Sequence, residues 1–255
     1  MLTYFLSHSS SEAKAFGHLY ESIALIQREK RCQPFWLPHR NHCKNFISTH
    51  LSIAKRNEAI LILGSGPLHE IPLPLIASTF TRVDLVDIVQ LQETKKTYSH
   101  LKNVRFIEAD ITELEAKILK DKKAIHHTPS LFLDQDYDLV ISANLLSQLS
   151  YHIRGFLEKK ARPKLSVEEL DRYAHEISFN HLKYLQTFPC PVILITDIET
   201  HFYDKEACMI HTECPYIDFE FPLPRKEWIW NVAPIPEYSK EMALKMKIAA
   251  FIFNS

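Results

Sequence analysis

The run Ala59-Ile60-Leu61-Ile62-Leu63 ends on Gly64-Ser65-Gly66. Five consecutive apolar residues do not alternate, so they suit a strand buried on both faces, inside a sheet that helices cover on both sides. The glycines that follow let the backbone turn sharply and leave no Cβ between it and a ligand. The chain holds only 4 glycines in 255 residues, where average usage near 7% would give roughly 18. Two of the four in one tripeptide therefore mark a special turn. The same scarcity excludes collagen-like, linker-like and glycine-rich low-complexity chains.

Further apolar runs stand at 83–86, 104–107, 139–141 and 192–195, with segments of helical composition between them at 72–80, 89–101, 112–121 and 144–158. Ser166 and Glu169 have capping-box spacing and open a long helix over 166–187. Strands alternating with helices predict right-handed βαβ crossovers and a doubly wound, mostly parallel sheet. Residues 203–226 lack a helical period, and 228–232 and 248–253 read as two closing strands joined through a helix near 238–246. Ahead of residue 58 no strand signal occurs. Ser9 and Glu12 cap a predicted helix over 9–31, Pro34 and Pro38 break the chain into a loop over 32–43, and a short helix follows over 44–55. The expected organisation is an N-terminal helical cap, 1–57, ahead of a Rossmann-like α/β domain, 58–255.

Thirty basic and 31 acidic residues give a net charge of −1. That balance does not suit a protein held to nucleic acid mainly through phosphates, so DNA is not an expected partner and RNA is not favoured. Five cysteines form no C-x-x-C pair, and a reduced, cytoplasmic setting is the simplest expectation. The N-terminal stretch MLTYFLSHSS has no basic flank, so no signal peptide is expected, and no 18-residue apolar window predicts a membrane span.

Two carboxylates accompany the glycine turn. Asp87 ends the second strand, 23 residues after Gly64, where an acidic side chain is placed to accept hydrogen bonds from both hydroxyls of a ribose. Asp110 follows the third strand, where it can border the base of a nucleoside or simply cap the next helix, as can Thr112. A dinucleotide is disfavoured, because no third glycine completes the turn that a pyrophosphate requires.

In the segments ILILGSGP, VDLVDI, RFIEADI, YDLVISANLLSQL, EWIWNV and KIAAFIF, the chain resembles the class I S-adenosylmethionine-dependent methyltransferase superfamily over about residues 58–255. The resemblance implies a seven-stranded sheet with an antiparallel last strand and S-adenosylmethionine as cofactor. By it, Gly64, Ser65 and Gly66 border the methionine portion, Asp87 and Ile88 the ribose side, Asp110 and Ile111 the adenine, and Asn144 the methyl donor. Two positions depart from the pattern: Ile62 stands where an acid is common, and Leu68 where a third glycine is common. The N-P-P-[YF] type of motif is absent, which disfavours methylation of exocyclic nitrogens in DNA. The acceptor is expected to be a small molecule or a protein side chain. Alternatives are a non-catalytic protein that keeps the fold, and an RNA methyltransferase.

Residues that could serve the acceptor lie at three places. Gln148 and His152 are four apart on a predicted helix face. Asp197, Glu199 and His201 share one side if the fifth strand stays extended. The 35–42 loop, with Arg40 suited to a carboxylate or phosphate, is a candidate lid. No metal is assigned to these groups, and Trp228 and Trp230 read as packing residues.

Overall fold

The computed structural model describes residues 10–216 and 218–254. Its main sheet path runs β3-β2-β1-β4-β5-β8-β7. The strands on that path are β1 (Ala59–Leu63), β2 (Arg82–Asp87), β3 (Val104–Glu108), β4 (Leu139–Ala143), β5 (Val192–Tyr203), β7 (Lys226–Ala233) and β8 (Ala243–Phe253). The first five are mutually parallel, and β8 lies antiparallel between β5 and β7. The order reverses between β1 and β4, which places a crevice at their carboxyl ends. An additional strand, β6 (Met209–Glu213), pairs antiparallel with the outer part of β5.

Burial explains why the parallel strands read so clearly. Ile60 and Ile62 face a layer with Trp36, Phe46 and Ile47, whereas Leu61 and Leu63 face Leu182, Tyr184 and Leu185. All four β1 residues are 0% exposed, each contributing roughly 2 kcal/mol by area removed from water. Connecting helices are α3 (Leu73–Thr79), α4 (Gln92–Thr97), α5 (Glu115–Asp121), α6 (Leu149–Lys160) and α7 (Val167–Thr187). Ser166 and Glu169 form the predicted reciprocal capping box at the start of α7.

The N-terminal region departs from expectation. Ser9 lies outside the described residues, and Ser10 caps α1 (Ser11–Phe16) by accepting the Ala13 N–H at 3.0 Å. Gly17 then turns left-handed with φ 84°, and α2 runs unbroken from His18 to His50. The predicted loop at 32–43 is therefore helix, with Pro34 and Pro38 inside it. Each interior proline costs about 3 kcal/mol, and packing offsets it. Trp36, His39, Cys43 and Phe46 are buried, Trp36 meets Trp230 edge-on at 5.1 Å, and its indole N–H donates to the Val232 carbonyl at 2.9 Å.

A second correction concerns residues 238–246, which form no helix. A short turn precedes β8, whose residues Ala243–Lys247 are half-buried rather than alternating cleanly. Among the described residues no helix is long and apolar enough to cross a membrane.

Candidate functional site

The glycine turn sits at the crevice. Gly64 and Gly66 have φ of 69° and 48°, and Leu68, at the position of the absent third glycine, also has φ 65°. The Gly64 and Ser65 N–H groups donate to the Val86 carbonyl at 2.9 and 3.1 Å. The turn is thus stitched to the tip of β2. A Cβ on Gly64 would stand 2.9 Å from Leu145, so this glycine is required by space as well as by backbone angle. At Leu68 the left-handed backbone costs about 1–2 kcal/mol, while its side chain is only 2% exposed.

Asp87 buttresses the same turn. Its carboxylate accepts the Gly66 N–H at 2.8 Å and the Val89 N–H at 3.1 Å. Burial raises its pKa above the ordinary carboxylate value, opposed by those two N–H bonds. Each oxygen retains a lone pair for a further donor. Asp110 is more fully engaged: it accepts from the N–H groups of Thr112, Leu114 and Glu115 at 2.8–2.9 Å and from the Thr112 hydroxyl at 2.6 Å. It thus caps the turn into α5. Ile111 is buried in the core behind it, and Ile88 packs at the edge of the cluster of Ala13, Ile26, Val89 and Leu91.

Asn144, just past β4, is left-handed with φ 54°. It meets α2, a contact that the sequence reading missed. Its amide lies 3.1 Å from His39 Nε2, the Trp228 indole N–H donates to His39 Nδ1 at 3.0 Å, and the His39 ring stacks on Trp230 at 4.0 Å. His39 is 0% exposed, and burial pushes its pKa down to about 3, with His42 and Arg40 adding to the effect. The signal was present as the spacing Trp36, His39, Cys43, Phe46, a helical face that the two prolines concealed. Trp228 and Trp230 both pack in the core as expected, and Trp228 adds a hydrogen bond to His39.

The acceptor-side candidates do not converge. Ile198 forms a bulge: Asp197 pairs with Ile248 and Glu199 with Lys247, adjacent residues on opposite faces. Asp197 therefore separates from Glu199 and His201, which bond each other at 2.7 Å, with Lys247 also on Glu199. The His201 bond holds the Glu199 pKa below its usual value. Asp197 is 6% exposed, receives the Thr196 hydroxyl at 3.4 Å, and has its pKa raised by burial, opposed by hydrogen bonding from Ser147 and Thr196. Arg40 is held by Glu29 at 2.6 Å, inside α2 rather than on a lid. Gln148 is exposed and donates to the Asn144 carbonyl, whereas His152 turns to the Phe16 carbonyl at 3.0 Å and stands 4.1 Å from His18.

The N-terminal segment covers the tips of β2 and β3. Ser10 donates its N–H to Glu108 at 3.0 Å, Ala13 is fully buried against Val89 and Leu91, and His18 bonds Glu115 beside Asp87 and Asp110. A cleft of about 470 Å3 opens next to it, lined by Glu29, Arg40, Pro67, His69, Leu91 and Thr94 among others. It borders the glycine turn through Pro67 without reaching Asp110 or Asn144.

The sheet order, the inserted antiparallel strand and the glycine turn at the crevice define a Rossmann-like fold resembling that of class I methyltransferases. No protein-family model matches the sequence, and no curated protein is similar to it. Among solved structures, the chain is similar to the N-methyltransferase NodS from Bradyrhizobium japonicum WM9 in complex with S-adenosyl-L-homocysteine, with 11% identity, 85% of this chain and 87% of that one covered, and a TM-score of 0.42. It is also similar to a DhpI–SAM–HEP complex (12% identity, 94% and 99% covered, TM-score 0.40). A third is Burkholderia thailandensis 1,6-didemethyltoxoflavin-N1-methyltransferase with 1,6-didemethyltoxoflavin and S-adenosylhomocysteine (15%, 91% and 90%, 0.38).

Proposed function

We propose that this chain is an S-adenosylmethionine-dependent methyltransferase acting on a small molecule or a protein side chain. The observation that carries the reading is the Gly64–Gly66 turn at the crevice, with the Asp87 carboxylate bonded beneath it at 2.8 Å. The residues fit a nucleoside-bearing amino acid. Bare backbone faces the crevice, Asp87 keeps lone pairs for ribose hydroxyls, and the buried Ser65 Oγ and one Asn144 amide atom have no partner among the described residues. The Asp110 caps leave that carboxylate room for no more than a further weak donor.

When bound, S-adenosylmethionine supplies an electrophilic methyl group on a sulfonium. The chain's own part is to position the acceptor in line with it and, for an acceptor that must lose a proton, to take that proton. Asp197, next on β5 after the segment that bonds Asn144, is the best-placed group for that second role. The Glu199–His201 pair, past the bulge, serves the outer sheet instead.

One observation favours a second reading. The contacts of Ala13 and His18 close the nucleoside end of the site. In the enzyme reading, α1 swings about Gly17 to admit the donor; in a non-catalytic protein it stays shut. Calorimetry with S-adenosylmethionine and S-adenosylhomocysteine separates the two. The enzyme reading expects saturable binding of both, and no binding of either by folded protein at millimolar concentration contradicts it.

A further inference from the structure

The contact between α2 and the end of β4 contains a proton-placement problem with one solution. An indole N–H can only donate, and the Trp228 N–H is aimed at His39 Nδ1 from 3.0 Å. Nδ1 must therefore be the bare nitrogen. His39 is buried and neutral, so its proton sits on Nε2, the atom that faces the Asn144 amide at 3.1 Å. An N–H donor facing an NH2 group repels it, whereas a carbonyl oxygen accepts from it. A half-turn of the amide, which changes no heavy-atom packing, gives the chain Trp228 Nε1–H to Nδ1 and His39 Nε2–H to Asn144 Oδ1. The Cys43 thiol, 3.6 Å from the same His39 nitrogen, is a weaker second partner.

That half-turn also relocates the unpaired group. The amide atom pointing away from His39 is buried and has no partner among the described residues. In the satisfied arrangement it is the NH2 end, a donor without an acceptor on the chain. Leu63 pairs with Ser142, and the next residue after Asn144, Leu145, lies against Gly64, so Asn144 stands at the tip of β4 beside the glycine turn. An amide NH2 group only donates, so it suits an anionic oxygen and not an ammonium group.

We propose that His39, through its Nε2–H, is a positioning residue that locks the Asn144 amide with its NH2 end turned away from His39 at the β4 tip, beside the glycine turn, as the donor to the carboxylate at the amino-acid end of S-adenosylmethionine. The N-terminal helix α2 thereby completes a site whose other parts lie on the sheet. The inference rests on the donor-binding reading above, and its two halves have separate readouts.

The first readout needs no ligand. Nitrogen-15 NMR of the whole chain should show His39 neutral with the proton on Nε2 from about pH 5 to 8; a proton on Nδ1 overturns the relay. The second is calorimetry with S-adenosylhomocysteine and with 5′-methylthioadenosine, which lacks the amino-acid end. Asn144→Asp keeps an acceptor for His39 and removes the N–H donors. It should weaken S-adenosylhomocysteine tenfold or more and leave 5′-methylthioadenosine within about twofold. His39→Phe, which keeps the stack on Trp230, should weaken S-adenosylhomocysteine in the same selective way. If wild type binds S-adenosylhomocysteine and Asn144→Asp binds it equally well, the carboxylate assignment is wrong. If wild type binds neither ligand, the donor-binding reading itself falls, and the carboxylate assignment with it.

Discussion

The two halves of the sheet are built by different rules. From β1 to β4 the strands are short and parallel, and β1, β2 and β4 are buried almost throughout. Left-handed backbone clusters at the β1 and β4 exits, where Gly64, Gly66, Leu68 and Asn144 all have positive φ. From β5 onward the pairings are antiparallel, and three of the four strands are longer. β5 and β8 span 12 and 11 residues, and β6 is exposed along its whole length. The difference teaches where a ligand site can be held. Burial on both faces supports the unusual backbone at the parallel tips, whereas the outer arm depends mainly on its ladder, whose register shifts at three places.

The largest effect should come from breaking the tip that is most tightly enclosed. Gly64→Ala places a Cβ 2.9 Å from Leu145 on a backbone with φ 69°. Strain and overpacking together should cost about 3 kcal/mol in urea unfolding. Gly66→Ala, which meets nothing within 4 Å, should cost only the backbone strain, about 1 kcal/mol. Equal losses at the two glycines would refute the close approach of Leu145.

Acid sharpens the contrast next. Burial lowers the pKa values of His39 and His181 to about 3 in the folded chain, below the ordinary histidine value of the unfolded chain. The unfolded state then binds more protons, so this contribution is fully present above about pH 6.5 and is lost as pH falls towards about 3. By about pH 5 each should have given up roughly 2 kcal/mol. His181 lies 3.4 Å from Ser142 of β4 and His39 reaches Asn144, so both act on the parallel half. Hydrogen exchange at mildly acid pH should therefore rise first around β1, β4 and α2. An earlier rise in β6 and outer β5 relative to their neutral-pH rates would contradict that order. The smallest effect belongs to the arm: Met209→Ala, at 57% exposure on β6, should shift stability by less than about 0.5 kcal/mol.

The same contrast decided what could be read from the sequence. Parallel strands buried on both faces leave unbroken apolar runs, so β1, β2, β4 and the start of β5 stood out beside the glycine turn. Antiparallel strands with one wet face carry mixed residues. Ala243–Met246 of β8 therefore read as helix, and nothing in the sequence marked Ile198 as a bulge that turns Asp197 away from Glu199. In α2 the failure had another cause. Pro34 and Pro38 are genuine local breakers, overridden by the packing of Trp36, His39 and Cys43 on β7, which no local pattern encodes. The glycine turn and Asp87 were legible because they lie along consecutive strand tips. Its contact with His39 was not, because that residue is 105 positions from Asn144.

The central claim is that the tips of β1 and β2 hold a nucleoside-bearing donor, with Asp87 at its ribose. Asp87→Ala removes the carboxylate and leaves the other tips in place. Calorimetric titration of folded wild-type and variant protein with S-adenosylhomocysteine tests the claim directly, because each charged hydrogen bond lost is worth about 1.5–3 kcal/mol. The account predicts binding by wild type and an affinity at least tenfold weaker in the variant. Equal affinity in the two proteins would contradict it.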